Sequence, residues 1–290
     1  MRSATGHLRR RHRIDSIFRN LCFAAASAGT VLLVIFLVKI MVDGLGRLSF
    51  DFIRNMQSSN PQRTGIWPAI MGSLYLMVLT AVIAVPVGVA AAVYLEEFQR
   101  RKNWLANFIQ LNIANLAGVP SIVYGLLGLA VFFRWLAFGP SLLTGALTMA
   151  LLILPMVIIV TQEALKAVPN SYREAALALG CTPWQMIRFQ VLPNAASGIF
   201  TGIILALSRA IGETAPLIVV GAVTFTTALP RTVQDQYTVL PITIFNWAGE
   251  ARTDFHVAAA GAIIVLIVSL LVLNSVAIYL RARARGQQRA

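Results

Sequence analysis

The sequence predicts an all-α integral membrane protein with six transmembrane helices and both termini in the cytoplasm. Three observations lead there. Of 290 residues, 58% are hydrophobic and 12% are charged, about half the charged share of a soluble domain. Apolar runs long enough to cross a bilayer, roughly 18 residues or more, recur along the chain. The net charge of +13 is spread unevenly between alternate loops.

Residues 1–20 form a basic tail with Arg9, Arg10, Arg11 and Arg13 grouped, expected to be mobile. The spanning part, 21–280, reads as one domain. Its first span covers 21–42. Residues 43–65 carry Ser58, Ser59, Asn60 and Pro61 and suit an external loop. The second span, 66–95, is interrupted by Pro86 and Gly88 and stops at Glu96, Glu97, Arg100, Arg101 and Lys102. Residues 104–115 are amphipathic, with Gln110, Asn112 and Asn115, and suit an interface or a cavity wall. The third span then runs to 136; Pro120-Ser121, Gly125 and Gly128 predict a bend and close packing partners. The fourth covers 142–161 and the fifth 195–223. An irregular external region, 224–254, has room for a short helix. The sixth span covers 255–280, and 281–290 form a second basic tail.

Orientation follows from the arginines and lysines. With both termini inside, sixteen basic residues fall on inner segments and seven on outer ones, a positive-inside bias. The same distribution explains the net charge without nucleic acid, since no basic surface interleaved with aromatics is present. Cys22 and Cys181 fall near the inner side, where no disulfide is expected. His7, His12 and His256 have no metal-ligand spacing. The apolar run after the basic N-terminus exceeds a signal-peptide core and lacks a clear cleavage site, so it reads as a retained helix.

Between the fourth and fifth spans, 162–193 is moderately polar and reads as two short helices joined by a turn. Asn170 or Ser171 can cap the first, with Glu174 closing a box from Ser171. Gly180 occupies the left-handed C-terminal position. Thr182 and Pro183 start the second helix, and Pro193 ends it. Ala175, Ala176 and Ala178 leave a smooth surface, while Trp184, Met186, Ile187 and Phe189 supply apolar anchors for a partner's pocket. A plain helical connector would carry the same caps.

The residues say more. Glu174-Ala175-Ala176, then Gly180, then Leu192-Pro193, resembles the EAA motif of bacterial ABC-importer permeases, with Gln190 in place of the usual aliphatic residue. That resemblance implies the type I importer permease fold and a cytoplasmic hairpin that docks on an ATPase. The stretch RAIGETAPL at 209–217, with NLAGVPSIVYGLLGLAVF at 115–132, is similar to the phosphate-specific permeases of the Pst system. Glu213-Thr214-Ala215-Pro216 is closer to the PstA-type subunit than to its PstC-type partner. The resemblance implies a phosphate importer in the bacterial inner membrane. Its implied partners are a homologous PstC-type permease, two copies of a PstB-type ATPase, an external PstS-type phosphate-binding protein and membrane lipid.

Arg209 and Glu213 are one helical turn apart in an apolar segment. Charge there is costly, and two explanations stand. The pair neutralises itself and fixes the helix, or it borders a substrate path. By motif, the family's intramembrane arginine and glutamate fall on these two residues. No phosphate-binding loop, nucleophile elbow, zinc motif or paired carboxylates in a span occur. No catalytic residue, metal or cofactor is therefore expected. A membrane enzyme and a structural or sensory subunit are the rival classes; ATP-dependent uptake against product formation without ATP separates them. Within transport, import of another oxyanion or small solute is the alternative.

Overall fold

The computed structural model describes residues 2–99, 104–222, 225–226 and 228–287. Among these the chain is helical and has no strand. Helix α1 (Arg2–Leu45) and short α2 (Phe50–Arg54) precede α3 (Trp67–Val93), which ends in a π-helical turn, Tyr94–Phe98. Next come α4 (Trp104–Ala117) and α5 (Ser121–Gly128), the latter prolonged by a π-helical stretch, Leu129–Trp135. Then α6 (Leu142–Lys166), α7 (Asn170–Ala178) and α8 (Pro183–Met186) follow. A π turn, Ile187–Val191, joins α8 to α9 (Leu192–Ile211), which precedes α10 (Ala215–Val219), α11 (Leu240–Ala248) and α12 (Thr253–Gln287).

Five helical rods are long and apolar enough to span a membrane: Asp15–Leu45, Trp67–Phe98, Leu142–Lys166, Pro183–Ile211 and Thr253–Val276. The pair Ala106–Ala117 and Ser121–Trp135, bent by 102°, makes the sixth when read as one broken span. The third span is thus two helices meeting nearly at a right angle. Helix α3, by contrast, runs through Pro86 and Gly88 without the expected interruption. The basic segment expected as a mobile tail has a helical backbone from Arg2 onward, continuous with the first span. The expected turn at Arg100, Arg101 and Lys102 lies outside the described residues, as do 288–290.

The core is formed by α3, α6 and α9. Leu76, Ala84, Met149, Ile153, Val157, Ile203 and Ala206 are buried there. Glycines set the spacing on both sides of α6. A Cβ at Gly88 would lie 2.6 Å from Val157 Cγ1, and one at Gly202 would lie 2.7 Å from Val160 Cβ. Bare backbone lets spanning helices approach where no solvent drives them together. Helix α1 packs on α12 near its C-terminal end, where Ile40 is buried with Ala260 and Ile264.

The loops gather at two ends. At one, Gln57 Nε2 donates to Thr243 Oγ1 (3.1 Å), Gln57 Oε1 accepts from the Thr226 amide (2.8 Å), and Arg252 Nη1 donates to the Ser59 carbonyl (3.2 Å). Helix α11, the short helix expected within 224–254, is largely buried through Leu240, Pro241, Ile242, Thr243 and Trp247. At the other end the π turn after α3 meets the segment between α6 and α8. Alternate loops therefore share an end, as six spans require.

Candidate functional site

The hairpin begins at Asn170, directly after Pro169, whose extended backbone (φ −57°, ψ 141°) serves as the N-cap. Ser171 is already inside the first turn, so the expected box between Ser171 and Glu174 does not form. The second half matches the local signals. Gly180 has φ +83°, the left-handed conformation that glycine adopts without a Cβ penalty. Thr182 Oγ1 accepts from the Gln185 amide (3.3 Å), and Gln185 Oε1 accepts from the Thr182 amide (2.9 Å), a complete capping box.

Pro193 does not end the second helix. The rod continues from Pro183 to Ile211, because the π turn at 187–191 widens the backbone just where the proline ring would otherwise meet the preceding turn. Asn194 Nδ2 donates to the Gln190 carbonyl (2.7 Å), within this stretch. The second half of the hairpin and the fifth span are therefore one piece.

Burial divides the hairpin's residues into two sets. Glu174, Ala175, Ala178, Leu179, Trp184 and Phe189 are exposed, as is Pro193, and Leu179 at the tip is 86% exposed. Leu192 is half-buried. Ala176, Met186 and Ile187 are buried in the same apolar core as α3, α6 and α9. The smooth outer surface thus consists of Ala175 and Ala178, and the outward anchors are Trp184, Phe189 and Leu179. Met186 and Ile187 anchor the second half of the hairpin to that core. A charge at Ala176 would break the hairpin itself; Ala175 and Leu179 are the positions that probe docking.

By sequence, Arg173 is only one more basic residue on the inner side. The structure buries it at the foot of the hairpin. Its Nη2 donates to Glu97 Oε1 (2.7 Å) and to the Leu165 carbonyl (2.9 Å). Its Nη1 donates to the Val168 carbonyl (2.7 Å) and to Asn170 Oδ1 (3.3 Å), and Nε faces both Glu97 oxygens at 3.2 Å. The side chains are 9% and 2% exposed. No local pattern could reveal this pair, since 76 positions separate its members. Glu174 lines a polar recess of about 470 Å³ beside it, with Glu96, Lys166 and Leu177.

The second site lies at the break in the third span. Helix α4 stops at Gly118, and Pro120 opens α5 as its N-cap. The carbonyl of Leu116, freed by the break, accepts from the Tyr124 hydroxyl (2.8 Å). Such satisfaction is what allows irregular backbone at membrane depth. The break, α6 and the end of α9 enclose a cavity of about 500 Å³, lined in part by Gly118, Ser121, Tyr124, Met156, Arg209 and Glu213. Gln110 and Gln162 exchange two amide hydrogen bonds of 2.9 Å and tie α4 to α6 below it.

Arg209 and Glu213 do meet, although not on one helix. Helix α9 ends at Ile211, and Glu213 sits in the link to α10. Pro216 has no amide to donate to the Gly212 carbonyl four residues back, and it sits in the first turn of α10, where a proline is tolerated. Arg209 therefore occupies the last turn of α9, where the helix dipole favours a cation. The ion pair is loose: Arg209 Nε lies 4.0 Å from Glu213 Oε1, with side chains 66% and 24% exposed. Among the described residues no hydrogen bond engages the Arg209 guanidinium. Charge neutralisation alone would produce a tighter pair.

Five spanning rods and a sixth, broken span around a cavity make this a multi-pass membrane protein. Residues 84–286 match the family described as "Binding-protein-dependent transport system inner membrane component"; the chain belongs to that family. Among its relatives, "Phosphate transport system permease protein PstA" of Yersinia pestis is 34% identical over 89% of this chain and 86% of that protein. "Probable ABC transporter permease protein YqgI" of Bacillus subtilis is 32% identical over 83% of this chain and 86% of that one. Among solved structures, a bacterial ABC transporter that imports alginate superposes with TM-score 0.60, covering 91% of this chain and 95% of that chain at 18% identity. The MetNI methionine ABC transporter gives TM-score 0.57, covering 76% and 94%, also at 18% identity. These likenesses establish the importer-permease fold.

Proposed function

We propose that the chain is a permease subunit of an ATP-driven importer of inorganic phosphate. The observation that carries the reading is Arg209, whose guanidinium borders the cavity with no hydrogen-bonded partner among the described residues. An anion crossing a low-dielectric passage is attracted by such a charge, and Glu213 nearby prevents tight trapping. Conduction needs entry to be favourable and release to remain possible. The relatives named as phosphate permeases support phosphate as the anion. Import of another oxyanion or small solute is the alternative, and the solved relatives with this fold include importers of methionine and of alginate.

In this reading the chain pairs with a PstC-type permease, receives phosphate from an external PstS-type binding protein and docks its hairpin on one of the two copies of a PstB-type ATPase. Glu174, Ala175, Ala176, Gly180, Leu192 and Pro193 mark the hairpin; Ala176 shapes it from inside, while Ala175 and the tip meet the ATPase. Both termini and the hairpin face the cytoplasm, on the strength of the arginine bias. Reporter fusions after Arg100 and after Arg285 are expected to be cytoplasmic, and one near Asp235 external. An external signal at Arg285 overturns this orientation. ATP-dependent phosphate uptake by vesicles holding the reconstituted complex tests the function itself.

Gly180→Val is expected to weaken coupling while leaving the chain in the membrane. No atom lies within 4 Å of a Cβ built at Gly180, so the effect is backbone strain alone. Occupying the left-handed region costs an L-residue about 1–2 kcal/mol, roughly tenfold in affinity for a partner that reads the turn. ATPase co-purification and uptake per assembled complex measure it. Normal values for both would remove the turn from the docking surface.

A further inference from the structure

We infer that Arg173 is a positioning residue for energy coupling. Its guanidinium binds the ends of α3 and α6 to α7, so that displacement of the hairpin moves all three together. The inference rests on the importer reading above and adds the route by which a push on the hairpin reaches the cavity.

The geometry is that of a junction. One planar fork donates to the carboxylate of Glu97, in the π turn that ends α3, and to two carbonyls at the end of α6, Leu165 and Val168. A fourth acceptor, Asn170, sits on α7 itself. Guanidinium donors have fixed directions, so displacement in the plane of the fork is carried to every acceptor. Lysine offers three donors on a flexible stem and cannot reproduce that array.

A fold staple does not require these residues. Helix α7 is already anchored by Ala176, buried in one apolar cluster with Val168, Ile187 and Val191. Replacing a buried ion pair by apolar side chains of like size is often neutral for stability. The pair instead adjoins the polar recess of about 470 Å³, which leaves space for movement on that side. Downstream, α6 carries both Leu165 and Gln162. The Gln162–Gln110 exchange passes its motion to α4, which ends at the break. Leu152, Ile153, Met156, Ile159 and Val160 of the same α6 line the cavity.

Two measurements on the full reconstituted complex test this. In the first, phosphate taken up per ATP hydrolysed is compared for wild type, Arg173→Lys and Glu97→Gln. ATP hydrolysis is expected to persist in both variants while the ratio falls about tenfold, the usual range of a coupling free energy. In the second, spin labels replace exposed Tyr94 and Tyr172, with Cys22 and Cys181 changed to serine. Their separation is expected to stay fixed between nucleotide-free and ATP-bound wild type, and to broaden or change with nucleotide in Arg173→Lys.

The second readout does not depend on what is transported. Absent phosphate uptake by wild type therefore sinks the substrate assignment alone. An unchanged uptake-to-ATP ratio in both variants overturns the inference, as does a label separation that stays fixed in Arg173→Lys. Failure of both variants to assemble with the ATPase makes the pair a folding staple and overturns it too.

Discussion

Arg209→Gln is expected to cut phosphate uptake on the order of a hundredfold, with the assembled complex intact. Assembly survives because the guanidinium does not hold the fold together: its one charged neighbour is 4.0 Å away and its side chain is 66% exposed. Transport fails because an anion in the cavity loses its cationic partner. Removing one member of a buried charge pair costs about 2–5 kcal/mol; solvent screening at an exposed side chain keeps the loss toward the lower end, and about 3 kcal/mol at the barrier is on the order of a hundredfold in rate. Uptake into vesicles holding equal amounts of each assembled complex measures it. Arg209→Lys separates two modes of action. Substantial activity points to a point charge, and none points to directed hydrogen bonds from the fork. Glu213→Gln is expected to slow release more than entry. Wild-type uptake by Arg209→Gln would reduce the pair to a structural role.

Gly125→Val is expected to dismantle the cavity from behind. A Cβ at Gly125 would lie 2.8 Å from Pro216 Cα and 3.1 Å from the Pro216 carbonyl oxygen. Backbone cannot rotate out of the way as a long side chain can. Helix α10 must lift from α5, and the link that carries Glu213 must move with it. Overpacking a tight core costs about 1–3 kcal/mol or more. The variant should show a lower Tm in detergent, reduced yield and loss of uptake. Gly125→Ala should show the same defect in milder form. A valine variant with wild-type Tm and uptake would mean that α5 and α10 separate freely, contrary to their packing here.

What the sequence discloses depends on distance along the chain. The turn at Gly180 and the Thr182–Gln185 box were legible because every participant lies within a few residues of the others. The six apolar stretches were legible because bilayer thickness fixes their length. Proline misled in both directions. Pro86 sits inside an unbroken α3, and Pro193 is carried by a π turn, because backbone groups that a proline frees can be satisfied by neighbours. Pro216 goes with a real interruption, since α9 ends at Ile211 and Gly212 lies four residues ahead of the proline. Ser171 failed as a cap because Pro169 had already taken that position. The bond between Arg173 and Glu97 was invisible for another reason: nothing local marks two charges that meet only after α4, α5 and α6 have been laid down between them. The cavity was half legible. Motif and charge singled out Arg209 and Glu213, yet the right-angle break that encloses them depends on α4 and α5 meeting, which periodicity cannot show.

The continuity of Pro183–Ile211 has a mechanical meaning. At 1.5 Å per residue this rod is roughly 40 Å long, with the tip of the hairpin beside one end and Arg209 in its last turn at the other. It is a lever. A tilt of about 10° about its midpoint carries each end through roughly 3–4 Å, in opposite directions, given that length. Such a swing is about one side-chain contact wide, enough to take a guanidinium from one wall of a 500 Å³ cavity toward the other. In the proposed importer, a push on the turn at Gly180 would reappear at the cavity with its sign reversed, and the angle of one helix would be a coordinate on which both ends of the molecule can be read.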